Sequence, residues 1–250
     1  MIYAALQGLT ACVPSQCAVC RRWPSTPVCG DCFSRFAPPQ LRCRTCALAM
    51  PERILPPADA NAPVQCARCL REPLGLDACF AALPYAFPWS DLVGRYKFGS
   101  ETGWVRFMAR TLLELPGTGD LLGSLRAEDF LLPVPLSAER LGWRGFNQAW
   151  LLAKELQRQS GCRACANANY LLRIRHTRPQ SELKRSERLA NLQGAFAVDP
   201  LRAAGLQGRE VVLVDDVMTS GASLLTAAQV LRQAGVQRVS AIVLARTAPT

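Results

Sequence analysis

The chain has 250 residues, of which 50% are apolar and 19% are charged, and its formal net charge is +10. This length accommodates one ordinary domain plus a small module, and the apolar fraction excludes a disordered chain. No run approaches the roughly 20 apolar residues that cross a bilayer, so no membrane span is expected. The first residues lack the basic and long apolar segments of a signal peptide, so a cytoplasmic location is expected.

The positive charge is concentrated in one part of the chain. Residues 133–194 carry 11 Lys and Arg against 4 acidic residues, a surplus of +7. A local surplus of this size favours a nucleic acid or a phosphorylated ligand as the partner. Aromatic residues make up only 7%, so the composition does not indicate an extensive platform for stacking bases.

Four Cys-x-x-Cys pairs precede residue 70. Two such pairs supply four thiolates at the spacing that binds zinc tetrahedrally, so four pairs predict two structural zinc ions. An iron–sulfur cluster, unligated thiols and disulfides are the alternatives, and disulfides are rare in the cytoplasm. The pairs can combine in sequence order or alternately, and the sequence leaves both arrangements open. The predicted ligands are Cys17, Cys20, Cys29, Cys32, Cys43, Cys46, Cys66 and Cys69.

After this Cys-rich and Pro-rich segment the sequence acquires the hydrophobic periodicity of strands and helices. We therefore place a double zinc ribbon at residues 1–75 and a second domain at 76–250. In the second part, apolar strands alternate with amphipathic helices, which predicts an α/β fold with a mostly parallel sheet flanked by helices. The predicted strands are 78–87, 130–136, 170–175, 209–220 and 236–246. The predicted helices are 89–98, 104–115, 146–160, 182–193 and 222–235. A further pair, Cys162 and Cys165, is expected to be two free thiols.

The segment 211–223 carries the most specific chemistry. Four apolar residues end in Asp215 and Asp216, and Gly221 permits a tight turn before a helix whose free N–H groups attract phosphate. The two carboxylates can accept hydrogen bonds from ribose hydroxyls. An ordinary strand–turn–helix leaves two acids after a buried strand unexplained, because a carboxylate is costly there unless it is used. We therefore predict a ribose 5-phosphate site, with Asp215 and Asp216 as the candidate catalytic residues. The predicted phosphate loop comprises Val217, Met218, Thr219, Ser220, Gly221, Ala222 and Ser223.

Two other segments are rich in groups that bind anions. The first, between a predicted strand and a helix, can hold pyrophosphate or can be a solvated loop with a helix cap; it contains Arg144, Gly145, Asn147 and Gln148. The second can bind a diphosphate or a nucleic-acid backbone, or can be a solvated basic face. Its basic residues are Arg173, Arg175, Arg178, Lys184, Arg185 and Arg188. His176, the sole histidine, lies among these cations and is expected to be a poor general base.

These motifs resemble a known family. The strand, the two Asp residues and the Thr-Ser-Gly turn look like the binding motif for phosphoribosyl pyrophosphate (PRPP) in type I phosphoribosyltransferases. The segments 133–156 and 173–196, together with this motif, occur in the order found in the ComF family, and Lys97 and Phe98 also match it. The four cysteine pairs match the double zinc ribbon of that family, so the resemblance covers nearly the whole chain.

The resemblance implies a type I phosphoribosyltransferase-like domain behind a double zinc ribbon. It implies PRPP as the ligand, with Mg²⁺, and a mobile basic loop over the diphosphate. It also implies a role in DNA uptake during natural transformation, with single-stranded DNA as a partner and a DNA-uptake helicase or other DNA-processing protein as a candidate partner. An active PRPP-dependent phosphoribosyltransferase of unknown acceptor is the alternative, and a regulator that binds PRPP as a signal is a third reading.

Overall fold

The computed structural model describes residues 15–51, 64–72, 75–175 and 194–248. They form two compact units, one that ends at Pro39 and one that begins at Gln40. The first unit contains an antiparallel bridge between Ser15 and Ser25 and one helix, α1 (Gly30–Phe36). The boundary proposed at residue 75 stays a prediction about sequence modules. By packing, the cysteine pairs at 43/46 and 66/69 belong to the core of the second unit.

The second unit is built on a five-stranded sheet in which every neighbouring pair is parallel, in the order β1-β7-β6-β2-β3. The strands β4 and β5 form a second, two-stranded antiparallel sheet. The strands are β1 (Ala78–Pro84), β2 (Phe130–Pro133), β3 (Cys165–Ala166), β4 (Leu171–Arg173), β5 (Phe196–Val198), β6 (Glu210–Met218) and β7 (Arg238–Arg246). The predicted fold class, a mostly parallel sheet with flanking helices, is confirmed.

Helices connect these strands and cover the sheet. They are α2 (Ala67–Arg71), α3 (Trp89–Phe98), α4 (Trp104–Leu113), α5 (Thr118–Ser124), α6 (Ala138–Arg144), α7 (Gln148–Ser160) and α8 (Ala222–Gln233), with a 3-10 turn at Ala203–Leu206. Val211 and Leu213 pack in one core with α8, whereas Val212 and Val214 point to the other face because side chains alternate along a strand. Helices α4 and α7 pack on each other and on the sheet.

Three predicted elements differ from the structure. The strand predicted at 170–175 is β4, which pairs with β5 outside the parallel sheet. Arg144, predicted in a loop, is the last residue of α6. This helix begins after Ser137, whose side chain accepts a hydrogen bond from the Arg140 N–H. Strand β6 ends at Met218, two residues before the end of the predicted strand 209–220, and Met218 pairs with Arg246 at the end of β7. The predicted helix 182–193 lies outside the described residues.

The carboxyl ends of the parallel strands meet at one edge of the sheet, which is where ligands bind in open α/β folds. Strand β6 lies between β7 and β2, and its residues 211–214 are buried. Its two acids therefore emerge at the centre of that edge. Within the described residues, no helix is long and apolar enough to cross a bilayer.

Candidate functional site

A cavity of about 650 Å³ opens at this edge of the sheet. The ends of β2 and β6, the end of α3, the helix α6 and the first turn of α8 contribute to its walls. The walls combine two acids, several cations and three aromatic rings. The lining residues are Tyr85, Lys97, Phe98, Val134, Pro135, Leu136, Glu139, Arg140, Trp143, Arg144, Gln148, Arg173, Asp215, Asp216, Val217, Thr219 and Ser223.

The two acids are in different electrostatic situations. Asp216 is buried, and its Oδ2 lies 2.8 Å from Lys97 Nζ, while its Oδ1 accepts the Val217 N–H at 2.7 Å. Asp215 Oδ1 accepts the Asp216 N–H at 2.9 Å. Burial, reinforced by the adjacent Asp216 carboxylate, raises the pKa of Asp215 well above its usual value, and Lys97 opposes this only in part. The charge of the Asp216 carboxylate is thus compensated by Lys97. The Asp215 carboxylate would be stabilised more by hydrogen-bond donors on a ligand.

The predicted phosphate loop forms a hollow of its own. A space of about 30 Å³ is lined by residues of the turn between β6 and α8, including Thr219, Gly221 and Ser223. Gly221 has φ 83°, a backbone conformation that other residues adopt only with strain, so glycine is favoured at this turn. Within the described part of the chain, no acceptor is recorded for the main-chain N–H groups of Thr219, Ser220 and Gly221.

The other loop residues have supporting positions. The Ser220 hydroxyl is nearly buried and accepts the N–H of Ala222, the first residue of α8, at 3.3 Å. Met218 and Ala222 are buried at the base of the turn, whereas Val217 also lines the main cavity. The donors that face the ligand space are therefore main-chain groups of the turn and the side chains of Thr219 and Ser223.

The first predicted anion-binding segment divides into two parts. Arg144 and Gln148 line the cavity, and Arg144 Nη1 donates a hydrogen bond to Gln148 Oε1. Burial lowers the pKa of Arg144, an effect that the charge of Asp216 opposes. Gly145 ends α6 with φ 78°, and Asn147 caps α7 by accepting the N–H groups of residues 149 and 150. Gly145 and Asn147 therefore fix the conformation of the backbone that carries Arg144 and Gln148.

The second predicted segment is only partly described. Arg173 on β4 lines the cavity, and burial lowers its pKa to about 10. Arg175 is exposed and is not part of the cavity wall. The residues His176, Arg178, Lys184, Arg185 and Arg188 lie outside the described residues. Sequence reasoning missed Arg140, which lines the cavity one helical turn before Arg144 on α6. The four-residue spacing of the two arginines was the available signal.

Three aromatic side chains stand around the cavity mouth. Phe98 is 60% exposed and Trp143 is 73% exposed, and their ring centroids lie 5.8 Å apart at an angle of 52°. The Arg144 guanidinium lies 5.0 Å from the centroid of the Phe98 ring, and Tyr85 is also exposed. The low aromatic content concealed this cluster, because the rings come from three separate parts of the chain. The cavity mouth therefore offers exposed ring faces for stacking.

The eight predicted zinc ligands form two groups, joined in sequence order. One contains Cys17, Cys20, Cys29 and Cys32, and the other contains Cys43, Cys46, Cys66 and Cys69. Within each group the sulfur atoms lie within 4.8 Å of one another. The alternate arrangement is therefore not the one in the structure. The first group lies in the unit that ends at Pro39, and the second is buried in the unit that holds the sheet.

Both groups fit zinc by their geometry. A zinc–sulfur bond of about 2.3 Å in a tetrahedron places sulfur atoms about 3.8 Å apart. Cys20 and Cys29 have sulfur atoms 3.7 Å apart, and so do Cys46 and Cys66. A hydrogen bond between the Cys46 thiol and Cys43 lowers the pKa of Cys43, and the same bond raises the pKa of Cys46. Each group can therefore hold a structural zinc ion.

Comparisons with known proteins show which family the chain resembles. The Phosphoribosyl transferase domain family matches residues 151–249. The DNA utilization protein YhgH of Escherichia coli O6:H1 is 32% identical over 241 residues, which cover 94% of this chain and 98% of that protein. Competence protein F of Haemophilus influenzae is 32% identical over 182 residues, 72% of this chain and 78% of that protein. Competence protein ComFC of Bacillus subtilis is 37% identical over 105 residues, 42% of this chain and 39% of that protein.

Proposed function

Because this chain belongs to the ComF family, whose members include competence and DNA-utilization proteins, we propose that it acts in DNA uptake by binding PRPP and single-stranded DNA. The observation that carries this proposal is the cavity at the sheet edge. It combines two acids at the end of β6 with a phosphate-type turn, and it adds Arg140, Arg144 and Arg173 on the facing wall. The expected cytoplasmic location and a DNA-processing protein as partner belong to the same proposal.

The positions of the donors and acceptors in the cavity favour one orientation of PRPP. The 5-phosphate binds the turn at Thr219, Ser220 and Gly221, where main-chain N–H groups and the first turn of α8 attract an anion. The ribose hydroxyls then donate hydrogen bonds to Asp215 and Asp216, which lie near the carboxyl end of β6. The diphosphate extends toward the arginines, which bind phosphate oxygens with charge-assisted hydrogen bonds.

Mg²⁺ would accompany the diphosphate and neutralise part of its charge. Asp216 is already paired with Lys97, so its carboxylate is a poor candidate for a direct metal ligand. Asp215 retains free carboxylate capacity toward the cavity. The ion is therefore expected to be held mainly by oxygens of PRPP and by water, with these acids orienting the ribose.

Single-stranded DNA is expected to bind at the cavity mouth. Exposed bases stack on aromatic side chains in a way that tolerates any sequence, and a duplex hides those base faces. Phe98 and Trp143 present adjacent exposed rings, and Arg140 and Arg144 stand beside them to bind the phosphate backbone. The rings and cations together favour a single strand over a duplex.

Anisotropy of a labelled oligonucleotide tests this part. The zinc-loaded full chain should bind a single strand more tightly than a duplex of the same sequence. Arg140→Ala/Arg144→Ala should weaken the binding and make it less dependent on salt. The matched control is Arg106→Ala/Arg110→Ala, which removes the same charge at the same spacing from the exposed side of α4. Equal weakening by both pairs would mean that only net charge matters and would contradict a site at the cavity.

An active phosphoribosyltransferase is the second candidate function. It is favoured because the cavity combines acids for the ribose, a turn for the 5-phosphate and arginines for the diphosphate. In that reaction the bond from ribose C1 to the diphosphate oxygen breaks, and pyrophosphate leaves with the electron pair. The acceptor donates its own pair to C1. Arg144 and Arg173 lie where they can stabilise the leaving diphosphate. Release of pyrophosphate that depends on both Mg²⁺ and an added base or amine supports this function. No release above the rate of the Asp215→Asn/Asp216→Asn variant excludes it for the acceptors tested.

A further inference from the structure

We propose that Arg246 is a positioning residue that couples the second cysteine cluster to the phosphate loop, so that metal binding and ligand binding strengthen each other. The proposal rests on the proposed binding of a phosphate ligand at the turn after β6. It concerns only the unit that begins at Gln40, in which the cluster and the loop both lie.

Arg246 is a charged residue in an apolar setting. It ends β7, a strand with seven buried residues before it, and is itself only 5% exposed. Its Nε donates to the Cys46 carbonyl at 3.0 Å, and its Nη1 donates to the Met218 carbonyl at 3.0 Å and to the Thr219 carbonyl. One guanidinium thus joins a metal-binding knuckle to two consecutive peptide groups of the phosphate loop.

The bonds to the loop determine where its donors point. The Met218 carbonyl shares a planar peptide group with the Thr219 N–H, and the Thr219 carbonyl shares one with the Ser220 N–H. In a trans peptide the carbonyl and the N–H point in opposite directions. Since Arg246 holds both carbonyls, it turns both N–H groups away from itself, and these are the groups proposed to bind the phosphate. Thr247 supports the arrangement, because its N–H donates to Met218 O at 3.2 Å.

The bond to the knuckle ties this geometry to the metal. Cys46 is one of the four residues of the second cluster, and its sulfur lies 3.7 Å from that of Cys66. The knuckle also bonds the sheet directly, because the Cys79 N–H donates to Arg44 O at 2.7 Å. Metal binding fixes the path of the chain from Cys43 to Cys46 and so fixes the carbonyl that Arg246 contacts. Loss of the metal frees that carbonyl and with it one of the contacts that hold Arg246 in place.

Coupling of this kind is reciprocal. If zinc at the second cluster raises the affinity for the phosphate ligand by some factor, the ligand must raise the affinity for zinc by the same factor. Couplings between protein sites are typically roughly 5- to 150-fold. The first cluster lies in the other compact unit and provides an internal reference within the same molecule.

The test titrates the zinc-loaded full chain to equilibrium with a chromophoric zinc chelator, with and without PRPP and Mg²⁺. The expected result is two classes of zinc site, one whose zinc affinity the ligand raises at least fivefold and one whose affinity is unchanged. Cys29→Ser should abolish the insensitive class and so identify it as the first cluster. Ribose 5-phosphate without the diphosphate should also raise the zinc affinity of the sensitive class, because the coupling acts through the 5-phosphate turn.

Arg246→Lys should remove the ligand effect on zinc affinity, because an ammonium group cannot span the Cys46, Met218 and Thr219 carbonyls in the fixed fork of a guanidinium. The matched variant Arg238→Lys makes the same change at the exposed start of the same strand, away from those three carbonyls, and should retain the effect. Arg246→Lys should also weaken PRPP binding to the zinc-loaded protein at least fivefold. If PRPP binds the wild-type chain but changes the zinc affinity of neither cluster, the coupling is wrong and the proposed function stands. If PRPP does not bind at all, the proposed function and the coupling both fall.

Discussion

Lys97 Nζ lies 2.8 Å from Asp216 Oδ2, and the two side chains are 16% and 4% exposed. Lys97 comes from the end of α3, whereas Asp216 belongs to β6 at the centre of the sheet edge. The pair therefore fixes one wall of the cavity to the strand that carries the proposed ribose-binding acids. It also leaves Asp215 as the less compensated of the two carboxylates.

Lys97→Met should destabilise the protein by about 3 kcal/mol, because removing one partner leaves a buried charge without compensation. Asp216→Asn in the same chain should restore most of that stability, since it removes the stranded charge. Chemical denaturation of the two single variants and the double variant measures this coupling. A double variant whose loss equals the sum of the two single losses would show that the pair contributes no interaction energy.

Asp215→Asn should raise stability at neutral pH by about 1 kcal/mol while it weakens PRPP binding. The pKa of Asp215 is raised in the folded protein, so the wild type loses stability as the pH rises through that pKa, whereas an amide does not titrate. The stability difference between the two proteins should therefore shrink on acidification. Thermal unfolding across the pH range measures it, and a difference that is independent of pH would contradict the assignment.

PRPP binding should also strengthen as the pH rises through the raised pKa of Asp215. Ribose hydroxyls donate hydrogen bonds, so they bind the carboxylate better than the protonated acid. Asp215→Asn should flatten this part of the pH profile. Binding that weakens over the same interval in the wild type would argue that the protonated acid is the form that binds.

Phe98→Ala and Trp143→Ala should each weaken binding of a single-stranded oligonucleotide by roughly 5- to 150-fold, the usual range for a stacked base. Phe87→Ala is the matched control, because Phe87 is similarly exposed at 62% but does not line the cavity. Anisotropy gives the affinities, and calorimetry checks that PRPP still binds. An equal loss of oligonucleotide affinity at all three positions would contradict a DNA site at the cavity mouth.

Cys66→Ser should destabilise the unit that holds the sheet by roughly 4 kcal/mol or more, as loss of a structural metal does. Cys29→Ser should leave that unit's unfolding midpoint nearly unchanged. The two residues are matched, since each is 7% exposed and donates its N–H at 3.3 Å to a sulfur of its own cluster. Zinc content and circular dichroism during heating measure both effects. Similar losses in both variants would contradict a special role of the second cluster in the core.

Local features of the sequence predicted the central part of the site. Residues 211–223 carry their chemistry within one strand and one turn, so the acids, Gly221 and the start of α8 could be placed from the sequence alone. The cysteine spacing similarly predicted the ligands, because a Cys-x-x-Cys pair is a local knuckle. In each case the residues that act together are neighbours in the chain.

Contacts between distant segments could not be predicted in this way. The pairing of Lys97 with Asp216 depends on how α3 packs against β6, and the sequence-order pairing of the clusters depends on the path between their knuckles. Arg246 was missed for the same reason, although a charge at the end of a strand as apolar as β7 was a usable signal. Helix α6 escaped notice because it has only seven residues and contains Gly142.

The most direct test of the central claim is calorimetry of the zinc-loaded full chain with PRPP and Mg²⁺. The account predicts saturable binding to one site, weakened at least roughly 100-fold in Asp215→Asn/Asp216→Asn, because two hydrogen bonds to charged groups are lost. Asp91→Asn/Asp120→Asn, which neutralises two exposed acids away from the cavity, should bind as the wild type does. Absence of saturable binding, or equal affinity in the cavity variant and the wild type, would contradict a phosphoribosyl pocket at the end of β6.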